Sequence, residues 1–148
     1  MNALQSLICV STAARELGPQ DMAAMLENSA RMNQSDGVHG TLLMSDGNFM
    51  QCIEGDVASV ERSYARIMAS QWHHRVVEMF RSPVARRRFH GWNWALKSGS
   101  QCEFSDPDTA HFLETPGHDQ PVAWGRRAME QKILRDFWDT EGHLDRIW

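Results

Sequence analysis

Two side-chain amides are the residues best placed to do chemistry in this sequence. Gln51 stands in Asn48 to Glu54 (NFMQCIE), where its nearest neighbours are mostly apolar. A primary amide in such a run must find partners for up to about four hydrogen bonds or lose its hydration uncompensated. Backbone groups nearby can supply them, which makes Gln51 an ordinary satisfied core residue. Alternatively, the amide faces a bound heterocycle with donors and acceptors of its own. Asn33 has the same two readings: a helix C-cap just past the end of an amphipathic stretch, or a polar contact to a ligand.

Other reactive types are scattered. Cys9, Cys52 and Cys102 are widely spaced, with no CxxC or CxxH pair, and read as free thiols. His73 and His74 are adjacent, so they cannot share one face as metal ligands do, and no metal is expected. G-x-S-x-G, the P-loop and G-x-G-x-x-G are all absent. Without a visible centre for turnover the chain is read as a non-enzyme, with Glu54 a strand-end or loop contact.

Composition narrows the class. The 148 residues fit one domain of usual size, and 42% hydrophobic with 23% charged residues is globular. The net charge, 15 − 19 = −4, argues against nucleic-acid binding, and the basic run Arg86-Arg87-Arg88 reads as a solvated loop or strand end. No apolar stretch approaches the about 20 residues that cross a bilayer, and no signal peptide is visible. No membrane association and a cytoplasmic location are therefore expected.

The elements that must position the two amides follow from periodicity. Gln5 to Ser11 reads as a buried strand. Gly18-Pro19 opens a helix whose stripe is Met22, Met25, Leu26 and Ser29, running to about Arg31, with 33–37 a polar breaker. Val38 to Ser45 and Asn48 to Glu54 flank Asp46-Gly47, a strong hairpin signal. Strand alternation then places Phe49, Gln51 and Ile53 on one face and Met50, Cys52 and Glu54 on the other. Asp56 caps a second helix with Val57, Val60, Tyr64, Ile67 and Met68 at helical spacing, ending near Ser70. Arg75 to Phe80 is a strand broken by Ser82-Pro83, and Phe89 to Leu96 holds a last strand.

The order β-α-β-β-α-β-β is an α+β, ferredoxin-like pattern with one strand added. Both helices lie on one face of such a sheet, leaving Ile8, Val10, Met50 and Cys52 on the other. Residues 105–121 are linker-like around one turn near Thr109 to Leu113. A helix from about Arg126 to Asp139, with Met129, Ile133, Leu134, Phe137 and Trp138 as its stripe, can close the open face.

Four stretches carry a family resemblance: Ser29-Ala30-Arg31-Met32-Asn33, Asp36 to Leu43 (DGVHGTLL), Ser45 to Gly55 (SDGNFMQCIEG) and Phe89 to Trp94 (FHGWNW). Together they resemble the BLUF domains, sensors of blue light using FAD, over roughly residues 3–97. Residues 98–148 are read as a C-terminal helical extension or cap. The resemblance implies FAD held between the two helices, with Asn33 on the pyrimidine edge of the ring and Gln51 at its N5 and O4 side. It also places Ser29 and Arg31 near the flavin, His73 near the ribityl-phosphate end, and Trp92 or Trp94 at the family's variable Trp/Met site.

At the first-strand position where the family carries its electron-donating tyrosine, this chain has Cys9. The resemblance therefore implies flavin binding but an absent or inefficient switch, with Gln51, Cys9, Trp92 and Trp94 as the photochemical set. Trp94 is the first candidate for a substitute donor. With no fused output domain in the sequence, a signal is expected to pass to a downstream protein by non-covalent contact, and the sheet face also allows a homo-oligomer. Two other readings stand beside this one: a degenerate BLUF-like interaction scaffold lacking photochemistry or flavin, and an acylphosphatase-type hydrolase.

Overall fold

The computed structural model describes residues 3–98, 100–114 and 126–139. Its elements are β1 (Leu4–Ala13), α1 (Pro19–Asp36), β2 (His39–Ser45), β3 (Asn48–Asp56), α2 (Val57–Ala69), β4 (His73–Val84), β5 (Trp92–Ser98), β6 (Gln101–Phe104), α3 (Pro107–Glu114) and α4 (Arg126–Asp139). The strands form one sheet in the order β4-β1-β3-β2-β5-β6. The first four strands give the antiparallel ferredoxin-like core, β5 joins β2 in parallel, and β6 pairs antiparallel with β5. The fold is thus the expected α+β architecture. No described helix is long and apolar enough to cross a membrane.

Strand alternation builds the two layers. Leu7, Cys9 and Ile53 pack with Val60 and Ile67 of α2 on one face. Ile8, Val10, Met50 and Cys52 pack with Leu134, Phe137 and Trp138 of α4 on the other. A one-residue slip would exchange these sets, so the β1–β3 register, with Cys9 opposite Gln51, is fixed by burial on both sides. Asp46 and Gly47 both have positive φ, the backbone that a two-residue hairpin needs. At Gly40, φ is 151° and an added Cβ would lie 1.8 Å from the Cys52 carbonyl oxygen, so only glycine permits this approach of β2 to β3.

Several boundaries differ from the sequence expectation. α1 runs through 33–36 and closes at Gly37, whose φ of 69° and N–H to the Gln34 carbonyl replace Asn33 as the cap. The polar segment stays helical because Asp36 is paired with Arg66 and Arg62 of α2. β4 continues through Pro83, which an edge strand tolerates because one side needs no ladder donor. β5 begins at Trp92, since Phe89 is held by Glu54 through its N–H and by His39 through its carbonyl. β6 was not anticipated, being short, polar and mostly exposed.

Side-chain expectations also change: Met129, read as part of the α4 stripe, is exposed. Val57 and Met68, read as part of the α2 stripe, are exposed, at the two ends of that helix. Arg88, read as part of a solvated run, instead lies with its Nε 3.3 Å from the fully buried Glu130.

Candidate functional site

A cleft partly open to solvent lies between α1 and α2 on the helical face of the sheet. Met25, Ser29 and Asn33 line it from α1, Leu42, Phe49 and Gln51 from the strands below, and Ser63, Arg66 and Ile67 from α2. Trp72 and His73, at the turn after α2 and the start of β4, line it as well. The wall is apolar at Met25, Leu42, Phe49 and Ile67, with polar groups at a few points, the pattern of a small-molecule site.

Both amides singled out in the sequence reach this cleft. Gln51 is 7% exposed, and its side-chain amide has no hydrogen-bond partner among the described residues. The amide therefore turns to the open space of the cleft, where a ligand's hydrogen-bonding edge can meet it. Asn33 is also buried, and its Oδ1 accepts from Ser63 Oγ at 2.9 Å and Arg66 Nη2 at 3.2 Å. A guanidinium only donates, so its contact identifies the oxygen of the Asn33 amide and leaves the NH₂ group as the end able to donate to a ligand.

Arg66 holds this arrangement in turn: its Nη1 donates to Asp36 Oδ2 at 2.5 Å, tying the end of α1 to α2. His73 Nδ1 is 2.8 Å from Ser11 Oγ, and burial together with neighbouring His74 holds its pKa below the ordinary value, favouring neutral imidazole.

The remaining expected residues fall elsewhere. Arg31 is exposed, does not line the cleft, and donates from Nη2 to Asn28 Oδ1 at 2.9 Å. Cys9 is buried beside Gln51 but does not line the cleft; burial, then Glu78, push its thiol up to about 12. Such a sulfur is a neutral thiol at physiological pH, a poor nucleophile.

Trp92 lines a separate hollow with His39 and Gln34, and its indole N–H is buried with no partner among the described residues. Trp94 packs against the cluster of Met25, Leu42, Met44 and Phe49 behind the cleft wall. Sequence reasoning missed Ser63, Arg66 and Trp72. Ser63, Arg66 and Ser70 recur at i, i+3 and i+7, a polar stripe beside the apolar one that could have signalled a lined slot. Trp72 sits in the turn after α2, where no periodicity operates.

Residues 4–95 match the sequence model of the family described as BLUF, sensors of blue-light using FAD. The chain belongs to the BLUF family. Its BLUF domain is a flavin-dependent blue-light sensor module, and the α1–α2 cleft fits a flavin ring in one specific respect. That ring's edge alternates acceptors and donors, and the cleft offers it the Gln51 amide, without a partner among the described residues, and a donor at Asn33.

The beta subunit of photoactivated adenylate cyclase from Euglena gracilis is 30% identical over 98 residues, 66% of this chain and 11% of that protein. The alpha subunit from the same organism is 31% identical over 84 residues, covering 57% and 8%. The chain thus spans about a tenth of the length of these curated relatives. Among solved structures, Klebsiella pneumoniae BlrP1 with FMN and cyclic diGMP matches with a TM-score of 0.69 at 28% identity, covering 90% of this chain and 35% of that one. The dark-state structure of the BLUF protein BlrB, at 20% identity and a TM-score of 0.62 over 92% and 98%, shares the fold.

Proposed function

We propose that this chain binds FAD in the α1–α2 cleft and acts in the cytoplasm as a light-responsive regulatory module, not as a catalyst. Residues 3–97 form the flavin-binding part, and the region after it, of which α3 and α4 are the described helices, passes a change to a protein partner. The observation that carries the reading is the amide of Gln51, which lines the cleft with no hydrogen-bond partner among the described residues, in a cleft whose opposite wall carries Asn33 with its Oδ1 already engaged. In this reading the flavin supplies light absorption and redox chemistry. The chain's own residues do the rest: Gln51 meets the N5 and O4 side, Asn33 the pyrimidine edge, Ser29 lies against the ring, and His73 contacts the ribityl-phosphate end as a neutral hydrogen-bonding group.

Cys9 stands where the family's donor tyrosine belongs, and the buried thiol stops short of the cleft. The usual relay from a phenol through the glutamine therefore lacks its first member. Illumination is expected to give little or none of the small red shift characteristic of the family. That observation also favours a second reading, a BLUF-like interaction scaffold without photochemistry or flavin.

One preparation separates the two. Under the first reading the purified protein is yellow, releases FAD, identified against FMN by chromatography, at about one per chain, and shows a weak light-minus-dark difference. Colourless protein that takes up neither FAD nor FMN supports the scaffold.

A further inference from the structure

The sheet face opposite the cleft contains a buried charge that packing alone does not explain. Glu130 of α4 is fully buried on the side of that helix that also carries Leu134 and Phe137. A carboxylate there is costly unless its charge is matched. Ser6 Oγ of β1 donates to its Oε2 at 2.6 Å, and Arg88 Nε lies 3.3 Å from its Oε1. The Arg88 guanidinium is also 5.7 Å over the Phe112 ring of α3.

Arg88 is itself held by β3. Glu54, fully buried three residues beyond Gln51, accepts the backbone N–H of Arg88 at 2.9 Å and of Phe89 at 3.1 Å. Strand alternation puts Gln51 toward the cleft while Cys52, whose Sγ is 3.6 Å from Ser6 Oγ, faces α4. A single strand therefore carries a cleft residue on one face and anchors the cation for Glu130 from the other.

We propose that Arg88 and Glu130 form a charge-keyed latch that seats α4 on the sheet only while β3 holds the 85–91 loop in position. Apolar contacts tolerate small displacements, whereas a buried carboxylate loses stabilisation steeply as the guanidinium beside it moves away. The seating of α4 is thereby sensitive to β3 in a way that Leu134 and Phe137 alone could not provide. Arg88 and Glu130 are positioning residues for the helix. The latch is a property of the chain with or without flavin; only the naming of light as its trigger rests on the function proposed above.

The test is amide hydrogen exchange on the full chain in the dark, with flavin content measured separately by absorbance. Arg88→Met removes the guanidinium beside the buried carboxylate and is expected to accelerate exchange in 126–139 by about a hundredfold, leaving 19–36 and 57–69 within a few-fold of the parent. Glu54→Ala, altered on the strand, should give the same local pattern. Arg88→Met combined with Glu130→Met removes both charges and should return α4 close to parental exchange. Unchanged exchange in 126–139 for Arg88→Met, acceleration spread evenly over the chain, or a double variant as fast as the single would each overturn the latch. Flavin content unaffected by these changes keeps the result separate from the light-sensor reading.

Discussion

Cys9 and Gln51 are cross-strand partners on β1 and β3, directly opposite one another in the sheet. Gln51 lines the cleft and Cys9 does not. The pair thus places a short, weakly hydrogen-bonding side chain beside the amide that a light-driven rearrangement would have to move. Cys9→Tyr should restore or strengthen a light-induced red shift of the flavin band, read as a light-minus-dark spectrum. A flavin-loaded variant as inert as its parent rejects Cys9 as the cause of weak switching.

Arg66 fixes the orientation of the Asn33 amide through its 3.2 Å contact with Oδ1. Arg66→Met removes a charged donor, so the amide loses its preferred orientation and the α1–α2 tie through Asp36 is cut. A hydrogen bond to a charged group contributes about 1.5–3 kcal/mol, so flavin affinity should fall roughly 10- to 100-fold in a titration. Affinity unchanged within a factor of about two would show that Arg66 does not organise the site.

Among the described residues Trp72, not Trp92 or Trp94, is the indole on the cleft wall. An indole against an excited flavin quenches its emission by electron donation, and Arg15 lies with its guanidinium 5.8 Å from the Trp72 ring. Trp72→Phe should therefore brighten bound-flavin fluorescence severalfold, whereas Trp94→Phe should change it less. The reverse order would move the quenching partner to β5.

His73 has a folded pKa below its ordinary value of 6.5 because burial disfavours the imidazolium, with His74 adding to the effect. A depressed pKa means that the unfolded chain binds the proton more readily. The His73 contribution is therefore present above about pH 6.5 and is lost as the pH falls below that value toward the folded pKa. Melting temperatures measured from pH 7.5 to 5 should fall more steeply for the parent than for His73→Gln. Parallel slopes would place the acid sensitivity elsewhere.

The β-α-β-β-α-β-β order, the two-faced alternation of β1 and β3 and the span of α4 were all readable from the sequence, because each is a repeating pattern imposed by burial. Gln51 was legible because a polar residue interrupts such a pattern. The end of α1 was not, since Asp36 remains helical through contacts with Arg62 and Arg66 that are distant in sequence. Trp72 and Arg66 escaped for a related reason: what makes them part of the site is the approach of α2 and the following turn to Asn33. Arg88 looked solvated because nothing local announces a buried carboxylate 42 positions later.

The most direct measurement is the visible absorption spectrum of flavin-loaded protein, parent against Gln51→Leu. A flavin whose N5 and O4 side meets the Gln51 amide should bind in both, with the main bands displaced in the variant because those hydrogen bonds are gone. Superimposable spectra at equal flavin content would contradict the placement of the ring in the α1–α2 cleft against Gln51.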